Sequence, residues 1–234
     1  MAQAQASTPR GSGAVLSIPS IPAIEAVLDA GFDWAVIDAE HSPLTRAEQL
    51  TMVVVAQRSC KPVLIRVTAN DPAVIGDALD AGADGVVVPM INTAEDAVSA
   101  VTATRYPPNG TRSIGPYRAP RGSPLCIVQI ETRGGVDNVE EIAAVDGVDS
   151  LMIGPGDLAL SIGRIPGVDS HHGDMQALYR QIIETCADVG KPAGTFSLLG
   201  AEDARRTWEL NWDYVADFHD RLVLQMAAGT HHHR

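Results

Sequence analysis

Short runs of aliphatic and β-branched residues recur along the chain. Each is followed by a longer stretch in which apolar positions return every three or four residues. The runs are AVLSI at 14–18, WAVIDAE at 34–40, PVLIRV at 62–67, GVVVPM at 85–90, CIVQIE at 126–131, SLMIGP at 150–155, PAGTFS at 192–197 and YVADF at 214–218. They are nearly continuous in apolar character rather than alternating, as parallel strands covered on both faces are. The amphipathic stretches between them include 22–31, 45–57, 93–104 and 173–190. Gly31, Gly82 and Gly190 stand where helical stretches end, a position at which left-handed backbone favours glycine. Eight strand-like runs alternating with helices in 234 residues predict an α/β chain folded as a single (β/α)8 TIM barrel, a fold of about 250 residues. An open doubly wound sheet is the rival arrangement. It would want a Gly-rich phosphate turn after its first strand, and residues 14–25 have none. One domain is expected over 1–234, with a flexible lead at 1–12, a tail at 230–234 and a Pro-, Gly- and Arg-rich loop at 105–125.

Composition narrows the class. Apolar residues make up 45% of the chain, enough for a sizeable core, and aromatics only 4%, so that core is expected to be aliphatic. No apolar run approaches the roughly 18 residues of a membrane span, and the first residues have no apolar core of a signal peptide. Against 17 basic residues stand 29 acidic ones, a net charge of −12 that argues against a nucleic-acid groove. Cys60, Cys126 and Cys186 are odd in number and widely spaced, and suit buried thiols in a reducing compartment. The expectation is a cytoplasmic protein.

A barrel places chemistry at the C-terminal ends of its strands. There the second strand ends Asp38-Ala39-Glu40-His41, the third carries Arg66, the fifth ends Gln129-Ile130-Glu131 and the sixth runs into Gly154-Pro155-Gly156-Asp157. Charges that end apolar strands are costly unless paired or bound to something. Glu131 and Asp157 offer two hard oxygen ligands, suited to Mg²⁺ or Mn²⁺ with positions left for water or substrate. The alternative is that they pair with arginines such as Arg66. The Gly154–Gly156 turn would expose backbone N–H groups to a substrate carboxylate. His41 is a candidate general base with Asp38 positioned to orient it, the alternative being a structural histidine. Arg66 suits an enolate oxygen or a carboxylate, or else a structural ion pair. Glu40 reads as a brace for its loop. His171, His172 and His231–His233 fall in loop and tail segments.

At this point the residues resemble a family. Asp38-Ala39-Glu40-His41-Ser42-Pro43, Arg66 with Asn70-Asp71-Pro72, and Val88-Pro89-Met90 are similar to the HpcH/HpaI aldolase/citrate lyase family. So are Arg105-Tyr106-Pro107-Pro108 with Gly110-Thr111-Arg112, Val128-Gln129-Ile130-Glu131-Thr132, and Ile153-Gly154-Pro155-Gly156-Asp157-Leu158. The resemblance is to its class II, metal-dependent pyruvate aldolases and runs through 13–165. It implies a (β/α)8 barrel and a reversible aldol reaction, in which a 4-hydroxy-2-oxo acid is cleaved to pyruvate and an aldehyde. It implies Glu131 and Asp157 as ligands of a divalent ion (Mg²⁺, Mn²⁺ or Co²⁺), His41 as acid/base, and Arg66 on the pyruvate enolate. Asp38 and Asp80 match acids that support the base, Asp80 reaching a neighbouring subunit's site. Gln129, Gly154, Pro155 and Gly156 match positions around the pyruvyl group. A homo-oligomer, hexamer or trimer, is implied, with no nucleic-acid or membrane partner. Lys61 and Lys191, the only lysines, both precede strands, consistent with the absence of a Schiff-base lysine.

Two regions depart from the family pattern. Only Arg121-Gly122-Ser123-Pro124-Leu125 separates Arg118-Ala119-Pro120 from the fifth strand, so the loop at 119–125 is shortened. Strand eight reads Asp217-Phe218-His219-Asp220 where the family has Gly-x-Asp, and the final helix at 220–229 is short. These departures keep two other readings open: enolate chemistry with another partner such as acyl-CoA, or a barrel without catalysis.

Overall fold

The computed structural model describes residues 7–115, 123–197 and 199–232. Its strands are β1 (Gly11–Leu16), β2 (Trp34–Asp38), β3 (Val63–Arg66), β4 (Gly85–Val88), β5 (Leu125–Ile130), β6 (Ser150–Ile153), β7 (Ala193–Phe196) and β8 (Tyr214–His219). All neighbours pair parallel, and β8 closes on β1, giving the closed eight-stranded barrel that the alternation of runs and helices predicts. The helices are α1 (Ile21–Asp29), α2 (Arg46–Ala56), α3 (Pro72–Asp80), α4 (Ala94–Thr104), α5 (Arg133–Asp137), α6 (Val139–Ala144), α7 (Pro155–Ser161), α8 (Gly173–Asp188), α9 (Ala201–Trp208) and α10 (Asp220–His232). Among the described residues no helix is long and apolar enough to cross a membrane.

Local chemistry sets the boundaries. Thr45 and Thr93 open α2 and α4 with reciprocal capping boxes to Glu48 and Asp96. Strand β4 stops at Val88, before Pro89, which has no N–H for the ladder. Strand β6 stops at Ile153, since Gly154 caps α7 and Pro155 opens it. Gly31, Gly82 and Gly190 take positive φ, as their positions after helices predict. The first strand begins at Gly11, ahead of the apolar run, because Gly11 N–H donates to Asp213 O at 3.1 Å and Ser12 N–H to Asp33 at 3.0 Å. The lead therefore ends sooner than residue 12, and the last helix runs past Gly229 to His232. Residues 1–6, most of the shortened 119–125 segment, and 233–234 lie outside the described residues.

Period-two alternation splits each strand between two apolar layers. Outward residues such as Leu16, Ile37 and Ile65 pack beneath the helices, while Val36, Leu64, Ile127 and Met152 fill the barrel. The interior is not wholly aliphatic. Trp34 and Tyr214, both fully buried, meet edge to face at 5.4 Å and plug the end from which the strands start. They fit because their neighbours lack side chains: a Cβ on Gly13 would lie 2.1 Å from the Trp34 ring, and one on Gly194 2.1 Å from the Tyr214 ring. Cys126 and Cys186 are buried free thiols, whereas Cys60 sits exposed on the turn after α2.

Candidate functional site

The same alternation that buries Trp34, Val36, Leu64 and Ile127 carries inward Asp38, Arg66 and Gln129 at the opposite end of the barrel, followed by Glu131. Strands β2 and β3 pair with Asp38 directly beside Arg66. Their side chains consequently share a face and lock in a fork, Arg66 Nε donating to Asp38 Oδ1 and Nη2 to Oδ2, both at 2.9 Å. Both are buried, and Arg66 stacks over the Phe196 ring at 4.9 Å. Arg66 Nη1 has no protein partner among the described residues. Burial opposes ionisation of Asp38, but the hydrogen bond and charge of Arg66, with help from His41, outweigh it and hold the carboxyl below its usual range.

Asp38 meets the backbone of the following loop rather than the imidazole. Its Oδ1 accepts from the N–H groups of Glu40 and His41 at 3.2 and 3.3 Å. The carboxylate beside the ring is Glu40, with Oε2 3.6 Å from His41 Nε2 and 3.3 Å from Arg66 Nε. The sequence reading of Glu40 as a loop brace misses this, and the reading of Asp38 as orienting the ring gives way to one in which it orients the loop. Glu40 Oε2 is buried without a hydrogen-bond partner. Burial pushes the Glu40 carboxyl up to about 7; Arg66 works against this, and the charges of Asp38 and Asp157 add to it.

Glu131 is buried and held from two sides. Oε1 accepts from the Met90 backbone N–H at 2.6 Å, and Oε2 from Gln129 Nε2. Met90 takes φ 58°, an unusual value for a side chain of this kind, which turns its N–H toward Glu131. Burial raises the Glu131 carboxyl above its usual range, and Glu40 and Asp157 reinforce the shift by repulsion. Gln129 Oε1 is a second buried oxygen without a partner. Asp157 stands exposed in the first turn of α7. Neither Glu131 nor Asp157 is paired with an arginine among the described residues, so the ion-pair alternative does not describe them. Gly154 leaves room for the Glu131 and Gln129 side chains, since a Cβ there would lie 2.3 Å from Glu131 Oε2 and 2.9 Å from Gln129 Nε2. Its N–H is spent on Ile130 O at 3.1 Å and Pro155 has none, which leaves Gly156 and Asp157 to supply free N–H groups at the helix start.

Two orphaned oxygens and three mutually repelling carboxyl groups fit a divalent cation of the hard, oxygen-seeking kind. Among the described residues no three His, Cys, Asp or Glu gather into a ready-made cage. Asp80 is not brought to this cluster. It ends α3, on the side from which β4 starts, and accepts from Arg112 Nη2 at 2.8 Å. His41 is exposed at the mouth.

Comparison with known proteins places the chain as a whole. Residues 19–207 match the family described as HpcH/HpaI aldolase/citrate lyase. The chain belongs to this family. The HpcH/HpaI relatives include a hydroxypyruvate/pyruvate aldolase of Chromohalobacter salexigens, 39% identical over 221 residues, covering 88% of this chain and 85% of that protein. A 2-dehydro-3,6-dideoxy-6-sulfogluconate aldolase of Pseudomonas putida is 40% identical over 195 residues, covering 78% and 76%. Among solved structures, an HpcH/HpaI aldolase/citrate lyase family protein of Burkholderia cenocepacia superposes with a TM-score of 0.85 at 31% identity, covering 94% of this chain and 92% of the other.

Proposed function

We propose that this chain is a metal-dependent carbon–carbon lyase that cleaves a 4-hydroxy-2-oxo acid to pyruvate and an aldehyde, and runs the reverse condensation. The observation that carries the reading is the Asp38–Arg66 fork lying beside the Glu40 and Glu131 carboxyl groups, whose proton affinity is raised, with Glu40 Oε2 and Gln129 Oε1 buried without a hydrogen-bond partner. Glu131 and Asp157 would hold a divalent ion, Mg²⁺, Mn²⁺ or Co²⁺, with Gln129 bracing Glu131. When bound, that ion supplies Lewis-acid polarisation of the 2-oxo group.

The protein's own groups do the rest. The N–H groups after Gly154-Pro155 receive the substrate carboxylate, and Gly154 keeps the space clear. His41, through a water, takes the proton of the 4-hydroxyl, and Glu40 beside its ring steadies the charge that the imidazole gains. The C3–C4 bond then breaks; its electron pair moves toward the 2-oxo group, and C4 leaves as the aldehyde. Arg66 offers Nη1 to the developing enolate oxygen, while Asp38 keeps the guanidinium from turning away. A proton returned to C3 completes pyruvate. Asp80 supports the base of a neighbouring subunit, which makes the working enzyme a homo-oligomer.

The test is pyruvate release from a 4-hydroxy-2-oxo acid, followed by coupled reduction of the product. Activity is expected to vanish in EDTA, to return with Mn²⁺ or Mg²⁺, and to be absent in Glu131→Gln. Full activity in EDTA would overturn the proposal.

A further inference from the structure

The aldol reading leaves one proton without a source: the one that C3 gains when the enolate becomes pyruvate. A second histidine reaches the barrel mouth, and an irregularity in strand pairing puts it there. Across β8 and β1, Gly13 lies opposite Ala216 and Ala14 opposite Phe218, so Asp217 is an extra residue in β8. Ser12 Oγ donates to Asp217 Oδ1 at 2.6 Å and Trp208 Nε1 to Oδ2 at 3.0 Å, which pins the bulge. Ala216 faces the barrel interior, and strict alternation from it would carry Phe218 inward and turn His219 out under the helices. The bulge reverses the phase. Phe218 packs outward against Phe32, ring centroids 5.2 Å apart, and His219 pairs with Val15, whose side chain fills the barrel. His219 consequently faces the mouth.

The residue after it keeps it in place. Asp220, 6% exposed, accepts from Ser17 N–H and Ile18 N–H at 2.9 Å and from Ser17 Oγ at 2.5 Å, tying the end of β8 to the end of β1. His219 Nδ1 is buried without a hydrogen bond, 3.6 Å from Asp220 Oδ1. The ring lines a cavity of about 300 Å³ together with Asp38, His41 and Ser42. His219 and His41 thus reach one space from two walls, β8 and the loop after β2. Asp38, in the same lining, holds the Arg66 guanidinium. Burial is the largest influence on His219 and lowers its proton affinity; Arg66 and Arg221 act with it, and Asp220 and Asp38 against it. At neutral pH the ring therefore rests neutral, and its imidazolium gives a proton up readily.

A substrate with its 2-oxo oxygen on Arg66 and its 4-hydroxyl toward His41 presents C3 between them, one bond from C2 and one from C4. We infer that His219 handles the C3 proton: Nε2 removes it from pyruvate in condensation and returns it to the enolate in cleavage. The inference rests on the aldolase reading and deepens it, assigning the two protons of the reaction to two histidines. In cleavage His41 passes the 4-hydroxyl proton through cavity water to His219. The C2–C3 π pair of the enolate then takes that proton to form the C3–H bond, the N–H pair stays on Nε2, and the 2-oxo group re-forms. One proton leaves oxygen and one reaches carbon, so the protein ends as it began. His219 stands in the strand-eight segment that departs from the family pattern, which makes the assignment particular to this chain.

The experiment uses the full-length, Mn²⁺-loaded protein with pyruvate in deuterium oxide and no aldehyde, and reads exchange at C3 by proton NMR. Calorimetry with oxalate, a planar mimic of the enolate, reports the geometry of the site without any turnover. Wild type is expected to exchange. His219→Asn is expected to lose about 10²- to 10⁴-fold in exchange, the usual share of a general acid–base group, with Mn²⁺ and oxalate affinities within about threefold of wild type. His41→Asn is expected to keep exchange while losing cleavage of a 4-hydroxy-2-oxo acid. Free imidazole, which fits the space the ring vacates, is expected to restore exchange in His219→Ala in proportion to its concentration. Unchanged exchange in His219→Asn overturns the inference, as does exchange lost in His41→Asn to the same degree. Exchange lost together with oxalate binding overturns it too, since the ring would then shape the site rather than move a proton. No exchange in wild type overturns the aldolase reading, and the inference with it.

Discussion

At the scale of single residues, the site is a set of ionisable groups held in unequal states by burial. Glu40 is the clearest case. Its carboxyl is lifted from an ordinary 4.5 to about 7, so the folded, metal-free protein keeps a proton that the unfolded chain releases above pH 4.5. Stability is therefore lost as the pH climbs from about 4.5 through about 7, by about 2–3 kcal/mol from this group once solvent screening of its partly exposed charge is discounted. Glu40→Gln removes the dependence: in urea melts of metal-free protein at pH 5 and pH 8, wild type should lose more stability than the variant. Parallel losses would mean that Glu40 is ionised throughout. Asp38 works in the other direction, because Arg66 holds it ionised, and its contribution fades only as the pH falls toward the acid range. Cutting Asp38→Ala strips a buried guanidinium of its two-pronged partner, leaving it only Glu40 at 3.3 Å, and should cost about 3 kcal/mol in the same melts. Asp38, Arg66, Gln129 and Glu131 were legible because polar residues ending apolar strands are conspicuous. The partnership of Glu40 with His41 was not, because it depends on the β2–β3 register giving Asp38 to Arg66 first.

At the scale of the elements, the eight strands were legible from their unbroken apolar runs, and the helix exits from Gly31, Gly82 and Gly190. The strand ends were less so. Runs such as GVVVPM continue past the last ladder bond, and only the missing N–H of Pro89 shows where pairing stops. The fit of strand against strand was also hidden, since 4% aromatics does not reveal that two of them fill the base of the barrel. That fit makes Gly194 critical. A methyl group there would sit 2.1 Å from the Tyr214 ring, whose hydroxyl is in turn engaged with Ser150 at 2.8 Å. Gly194→Ala should destabilise by about 1–3 kcal/mol or more, the range of overpacked cores, and do so without touching the rim. Gly154→Ala is its counterpart at the opposite end. There the methyl group would displace Glu131, and the expected result is at least a tenfold loss of Mn²⁺ affinity by calorimetry with the far-ultraviolet circular dichroism retained. Unchanged affinity would place the ion elsewhere.

At the scale of the whole molecule, one barrel does not gather every group that the family resemblance implies. Asp80 is paired with Arg112 at the end of α3, away from Glu131 and Arg66, and Gly115 packs so closely on it that a Cβ would lie 2.5 Å from its carboxylate. Nothing in the spacing of Asp80 could reveal this, because the distance between two rims is a property of the closed barrel. If Asp80 serves a neighbour, a complete site needs Glu131 from one chain and Asp80 from another. Asp80→Asn and Glu131→Gln should then each abolish pyruvate release alone, yet regain it when the two variants are dissociated together and reassembled. In a random mixture of equal parts, a site is whole when its own chain is Asp80→Asn and its neighbour is Glu131→Gln, which gives about one quarter of wild-type activity. If Asp80 acts only within its own chain, every site in the mixture lacks one group and the activity stays at the level of the single variants. Arg112 bears on the same result, since it holds Asp80 by a bond of 2.8 Å. Arg112→Met should lower the activity of wild-type assemblies, and it should lower the recovered activity further when carried on the Glu131→Gln chain, whose Asp80 does the work, than when carried on the other.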